Sequence, residues 1–386
     1  MGWDRRAPDR VQAPTPPATG RWLLAAGAAL LACVLLFLLH ASERVPQLRE
    51  LNIWALAASP LLIWILVFGA RAHAHGRDLS HYQFLEEETQ CAQLTWQDWA
   101  QRSLAVSASC VVLPEQVSAG VLAQPQPNLK PRTGQACRIA ALPVREGRAQ
   151  AGLQLLVPAL TAALQALPVE QALRVTVLSD VEPEHYPALR DAWQQTWAAA
   201  TGKALPATVN VTRELSLQWI DETLRTASTA FELILVLQVN GAEAYSDGLA
   251  ALLLCPDRLA RARELPVLGE LLRPMPLDIT ALKSELPLFL QTQTNARLAT
   301  GLLADGTDWQ PVIGEVLATG SAQGASLKVE QQWVLEHLCG LPGPFSHWLL
   351  AALGVDLVRH QRQPLVLLAK EKTRHWISTV TKRELA

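Results

Sequence analysis

Acids and a histidine crowd one short stretch, Ser179-Asp180-Val181-Glu182-Pro183-Glu184-His185, directly after the apolar run Leu173–Leu178. Three carboxylates and an imidazole form a donor set for a hard or borderline cation. In open α/β sheets such ligands gather at the carboxyl ends of strands. The plainer chemistry is electrostatic: acids ahead of a helix beginning near Tyr186 complement its positive end, and this reading is preferred. Other reactive side chains stand alone. Ser246 follows an apolar run as a nucleophile would, but no base adjoins it and Tyr245-Ser246-Asp247-Gly248 has turn chemistry. His73, His75 and His81 read as polar groups just past an apolar segment. His347 and Trp348 follow the rigid turn Gly340-Leu341-Pro342-Gly343-Pro344, where a core Trp is the ordinary outcome.

The cysteines Cys33, Cys91, Cys110, Cys137, Cys255 and Cys339 are scattered, with no CxxC pair and no Cys/His spacing for zinc. Cys110, Cys255 and Cys339 sit in apolar sequence, which raises a thiol pKa instead of lowering it. They are read as structural or incidental, and scattered thiols suit a reducing compartment. No Walker A loop, GxGxxG, HExxH or GxSxG occurs. No catalytic residue, cofactor or metal ligand is assigned. Asp180, Glu182, Glu184, His185, Trp193 and Trp197 stand as surface candidates.

These residues need elements to position them. Residues 94–114 pass from a helix into a strand, and the Pro- and Gly-rich Gln124–Gly134 reads as a loop. An alternation follows: strand-like Cys137–Val144, helix Leu153–Leu167, strand Leu173–Leu178, helix Tyr186–Ala200 with Trp193 and Trp197 on one face, and helix Leu217–Thr229. Phe231–Val239 (FELILVLQV) is a continuous apolar strand of the kind buried on both faces. Leu249–Cys255 is another. The second half repeats this more loosely, with Pro311–Thr319 and Ser326–Trp333 flanking a Gly-rich turn, helix Phe345–Leu353 and strand Pro364–Ala369. The expectation is an α/β fold: a mixed or parallel sheet covered by helices.

Ahead of this domain lie two uncharged runs, Trp22–Leu39 and Leu51–Ala70. At about 1.5 Å per residue the first covers roughly 27 Å, close to a hydrocarbon core. Two such runs in succession exceed a cleavable signal sequence and predict a membrane hairpin, with a kink at Pro60. The expected organisation is a disordered tail at 1–21, a transmembrane hairpin at 22–70, a juxtamembrane linker or helix at 71–100, and the α/β domain at 101–386. Basic residues of the outer flanks (Arg5, Arg6, Arg10, Arg21, Arg71, Arg77) outnumber Arg44 and Arg49 of the connector, so both termini are expected on the cytoplasmic side of a bacterial inner membrane. The reverse topology, with a periplasmic domain, is the alternative. A net charge of −2 excludes nucleic acid as a general partner. Charged residues at 18% and hydrophobic ones at 50% fit an anchored domain.

Two resemblances add to this. FELILVLQVNGAEAYSDGLAALLL (231–254) resembles the thiolase-like fold of ketoacyl synthases, in which a buried strand leads through a loop into a strand of the form xxAALLL; Pro344–Ala369 is similar to its C-terminal counterpart. That resemblance implies a nucleophilic Cys on a strained turn at a helix start, with His or Asn partners. No Cys here has such a setting. The layout, with the Trp-Arg stretch Trp96–Leu104, resembles type VI secretion accessory proteins of the lipase-adaptor type. That resemblance implies protein partners, a secreted effector or a secretion-spike component. Trp supply (13, against 6 Phe and 3 Tyr) agrees with binding surfaces. The functional expectation is therefore a membrane-tethered adaptor, without enzymatic activity, that binds other proteins. The alternative is an enzyme with a degenerate thiolase-like or hydrolase-like site acting on acyl or lipid substrates near the membrane.

Overall fold

The computed structural model describes residues 3, 12–42, 52–124, 129–168, 171–206, 208–226 and 228–383. About half of the expected tail, most of the connector, Leu51, and part of the loop expected at 124–134 lie outside them. The chain divides into an apolar unit, Ala7–Thr95, and an α/β unit, Met1–Arg6 with Trp96–Ala386.

The apolar unit holds α1 (Thr19–Ala41) and most of α2 (Ile53–Gln101). Both helices are long and apolar enough to cross a membrane, and none of the residues in their apolar stretches is buried. Lipid buries surface of this kind without asking for a backbone partner. Trp22 meets Phe68 edge-on at 5.3 Å, and Phe68 stacks on Trp64 at 5.1 Å. Pro60 lies inside α2, and the helix runs on through residues 71–100; of the two expectations for that stretch, helix is the one found.

The α/β unit contains β1 (Ser103–Val112), α3 (Ala119–Leu122), α4 (Arg148–Ala159), α5 (Thr161–Gln165), β2 (Leu173–Ser179), α6 (Tyr186–Thr201), β3 (Thr208–Thr212), α7 (Gln218–Arg225), β4 (Phe231–Gln238), β5 (Gly248–Pro256), α8 (Asp257–Ala262), β6 (Gly269–Leu272), β7 (Met275–Leu277), α9 (Leu282–Thr292), β8 (Gly301–Ala304), α10 (Gln310–Ala322), β9 (Gln332–Val334), α11 (Leu335–Cys339), α12 (Ser346–Gln361), β10 (Leu365–Glu371) and β11 (Arg374–Thr381). The strands join in the order β3-β2-β4-β5-β1-β6-β11-β10-β8-β9, with β7 on β11. β2 is parallel to β3 and β4, and β5 is antiparallel to β4. β8 is likewise parallel to β9 and β10, and β11 is antiparallel to β10. The same path, 3-2-4-5 and 9-8-10-11, is thus traced twice in one chain.

Continuous apolar strands follow from coverage on both faces. All eight residues of β4 are buried. Ile234 and Val236 face one core with α7 and α12, while Phe231, Leu233, Leu235 and Leu237 face another with α4 and α6. A third core, under α9 and α10, covers the second repeat. α12 is buried on nearly all sides, which is why its sequence lacks a polar stripe. Arg273, 1% exposed, donates to Trp99 O at 2.8 Å, pairs with Asp221 and lies over the Trp99 ring, fixing the end of α2 within this unit.

Two expectations need correction. Cys137–Val144 is not a strand. Its backbone N–H groups at Cys137 and Ile139 donate instead to Ser246 Oγ and Asp247 Oδ2, both at 2.9 Å, and Arg138 and Arg148 pair with Asp247. Side-chain acceptors replace the ladder. The helix expected at Leu153–Leu167 is broken into α4 and α5 at Leu160, two residues past Pro158.

Candidate functional sites at the ends of the parallel strands

The carboxyl ends of β2, β3 and β4 open onto two clefts. The first, of about 830 Å³, lies between the start of α4 and the loop after β2. Asp180, Glu182 and His185 line it together with Arg145, Arg148 and Tyr245, so the sequence-predicted acids do converge with the histidine; Glu184 is not among the lining residues. Asp180 is buried. Its Oδ2 accepts from Val239 N, Asn240 N and Tyr245 Oη at 2.8, 2.7 and 3.1 Å, while Oδ1 is buried without a partner. Desolvation pushes the Asp180 carboxyl up despite these three donors. The Tyr245 hydroxyl is raised by its burial and then by that carboxylate. Glu182 is turned to Arg213 (3.0 Å). Among the described residues no three acids, cysteines or histidines gather as a metal site. Trp193 and Trp197 are no surface candidates: they are 1% and 2% exposed, packed under α6 in the core with Leu233 and Leu235.

The second cleft, about 440 Å³, lies at the turn from β3 into α7. Sequence reading passed over Ser216, which carries no motif. Its hydroxyl donates to Glu371 Oε2 at 2.7 Å, and Leu217 N donates to the same oxygen at 3.3 Å. Glu371 ends β10, and Lys372, at φ 53°, turns the hairpin into β11. Lys372 Nζ lies 2.6 Å from Glu214. Beneath the turn, the Leu215 carbonyl accepts from His347 Nε2 (3.0 Å) and Trp348 Nε1 (2.7 Å), both on α12. A carbonyl only accepts, so His347 carries its proton on Nε2. Burial holds its pKa below the usual imidazole value. Residues of the second repeat thereby clamp a serine that the first repeat places at a helix start. His347 and Trp348 are both buried, in line with the core reading of that stretch, and they clamp this turn.

The cysteines take no part. Burial pushes the Cys110, Cys137 and Cys339 thiols up, and that of Cys255 to about 11. Thiols so raised are poor nucleophiles.

The carboxyl end of β8 shows what the second repeat does with its equivalent position. Asp305, 2% exposed, accepts from Trp309 Nε1 (2.8 Å) and Lys370 N (2.6 Å). Burial lifts its pKa from 3.8 to about 6. The folded state therefore binds a proton that the unfolded state has released between those values. The associated stability is present below pH 3.8 and lost as pH rises through 6, an effect of about 3 kcal/mol. The difference in unfolding free energy between wild type and Asp305→Asn should shrink by that order from pH 4 to pH 7, measured by denaturant titration at each pH.

No family model matches the sequence, and no curated protein matches it. Solved structures do. A type II polyketide-synthase ketosynthase, solved in complex with its acyl-carrier protein, superposes with a TM-score of 0.51 at 12% identity, over 73% of this chain and 99% of that one. The α/β unit has a thiolase-like fold. An oxazolomycin ketosynthase domain from Streptomyces albus (TM-score 0.45, 12% identity, 73% of this chain and 96% of that one) and OleA of Xanthomonas campestris with acetamide bound (0.43, 9%, 72% and 98%) were also found. The adaptor expectation, and with it the expectation of no enzymatic activity, is overturned at this point. The thiolase-like domain shares its architecture with a condensing enzyme.

Proposed function

We propose that the chain is a membrane-tethered enzyme acting on acyl or lipid substrates, and that the thiolase-like domain does this with Ser216 where condensing enzymes use a cysteine. The observation that carries the reading is the 2.7 Å hydrogen bond from Ser216 Oγ to Glu371, made at the turn where a parallel strand feeds a helix. Nucleophile and base within hydrogen-bond reach, with the base held by a further group, is the arrangement that activates a hydroxyl. Here Leu217 N holds Glu371.

In the reaction, Ser216 Oγ attacks the acyl carbonyl carbon and its proton passes to Glu371. The carbon–sulfur or carbon–oxygen bond of the substrate breaks, and Glu371 returns the proton to the leaving thiolate or alkoxide. Water, deprotonated by the same carboxylate, then releases the acyl group as a free acid, or an alcohol takes its place to give transfer. Lys372 and Arg374, at the rim of the cleft, supply positive charge for the developing oxyanion. Condensation by a cysteine thiolate is not part of the reading, because every thiol of the domain is raised.

The tether sets the substrate's place. α1 and α2 hold the domain at the bilayer, with both termini on the cytoplasmic side of an inner membrane. Reporter fusions at residue 386 should give fluorescence from a fluorescent protein and no activity from a phosphatase; phosphatase activity would reverse the topology. Turnover is tested on the full chain in nanodiscs, with chromogenic acyl thioesters and esters of graded chain length. Release of thiol or alcohol above the empty-disc rate is the expected result. Absence of turnover across the whole panel would remove the enzyme reading.

A further inference from the structure

The cleft between α4 and the loop after β2 is separate from the Ser216 turn, and we infer that it binds a small phosphate ester bearing a hydroxyl or ammonium group beside the phosphate. Two independent features of the cleft point to the two halves of such a molecule.

The first is the start of α4. Gly147, at φ +74°, precedes the helix, and no side chain caps it. Among the described residues the N–H groups of Arg148, Ala149 and Gln150 have no acceptor, while Ala151 N is the first to find one, on Gly147 O. Gly147 has no side chain to cover them, and its nearest neighbour to a Cβ position is 3.9 Å away, so a ligand can approach the backbone closely. Arg145, exposed and without a partner among the described residues, stands at the same end. Three convergent N–H groups at the positive end of a twelve-residue helix, with a guanidinium beside them, match tetrahedral phosphate oxygens.

The second is Asp180, 7% exposed, which also lines the cleft. Its Oδ2 is fully used by three donors, but Oδ1 has none. A buried carboxylate oxygen left unpaired costs free energy. A donor from a ligand satisfies it; a fully ionised phosphate group offers none. Of the other charges of the cleft, Arg213 is paired with Glu182, Arg148 with Asp247 outside the lining, and Glu146 adds a further negative charge beside Arg145. A balanced lining of this kind favours a ligand that is itself part anion and part donor over a bare polyanion. The cleft volume, about 830 Å³, lies in the range of small-molecule sites.

The chemistry is shared by soluble phosphate esters and by lipid headgroups, and the experiment separates them. Calorimetry on the full chain in phosphatidylcholine nanodiscs compares phosphoethanolamine and glycerol 3-phosphate with inorganic phosphate and with ethanolamine. The two-group compounds should bind at least about tenfold tighter than either single-group one. Asp180→Asn should erase that advantage while leaving phosphate binding in place. Arg145→Ala, on an exposed side chain, should weaken all phosphate compounds about tenfold with an unchanged melting temperature, and it decides the matter if Asp180→Asn does not fold. Repeating the titration in discs containing phosphatidylethanolamine assigns the source: competition marks a headgroup site, and unchanged affinity marks a soluble ligand. Two-group compounds binding no tighter than phosphate, or Arg145→Ala without effect, would overturn the proposal. The outcome does not depend on whether Ser216 reacts, since none of these measurements reads turnover.

Discussion

Asp247→Ala should lower the unfolding free energy of the thiolase-like domain by about 3–5 kcal/mol, the range for removing one partner of a buried ion pair. The side chain is wholly inaccessible. Its Oδ1 accepts from Arg138 at 2.8 Å; its Oδ2 accepts from Ile139 N at 2.9 Å and from Arg148. Truncation leaves the Arg148 guanidinium, itself largely buried, uncompensated, and orphans a backbone N–H. Loop 137–147 makes no strand, so these bonds are its main tie to β5. Asp247→Asn keeps the shape and one acceptor oxygen and should cost less than Ala. A denaturation midpoint that moves with unchanged slope would show the loss to be one of stability alone.

Ser216→Ala should reduce turnover at least about 10³-fold, because it removes the atom to which the acyl group is transferred. Glu371→Gln should cost about 10²–10⁴-fold, the usual share of a positioned base. Each loss should fall on kcat, since neither group is needed to seat the acyl chain. The structural roles of the two residues are modest by comparison. Ser216 Oγ also accepts from Gln218 N at 3.2 Å at the start of α7, so Ala there should cost on the order of 1 kcal/mol. A melting temperature lowered by a few degrees with turnover gone separates chemistry from folding. Equal activity in Ser216→Ala and wild type would place the reaction elsewhere.

The parts of this fold that can be read from sequence are those whose pattern is local. β2, β4, β5 and β10 are continuous apolar runs, and α1 and α6 have the length and composition of helices, so each was expected close to its observed span; α12 was expected only as far as Leu353 and runs on to Gln361. The short strands were not. β6, β7, β8 and β9 have three or four residues each, too few to show a period, and they exist because long-range pairing completes them. β11, Arg374–Thr381, mixes polar and apolar residues without a regular alternation yet is buried along most of its length; the burial of its Ser and Thr is announced by no local signal. Trp193 and Trp197 were correctly placed on one helical face, but a shared face does not say whether it turns inward. Their burial follows from α6 packing on the sheet.

The site divides in the same way. Asp180, Glu182 and His185 were visible because they cluster in sequence after a strand. Ser216 and Glu371 are 155 residues apart, one in each repeat, and neither stands in a motif. The signal available was the position of Ser216 between the alternating stretch Thr208–Thr212 and a helix, the place where the thiolase-like resemblance requires a nucleophile. Reading that resemblance for cysteine alone passed over a hydroxyl in the equivalent kind of turn.

The most direct test is to trap the intermediate. The full chain in nanodiscs is incubated with an activated acyl thioester, quenched in acid, and weighed intact by mass spectrometry, with peptide mapping of any adduct. The account predicts a mass increase equal to one acyl group, located on Ser216 and lost in Ser216→Ala. An adduct on a cysteine, or one that persists unchanged in Ser216→Ala, would contradict it.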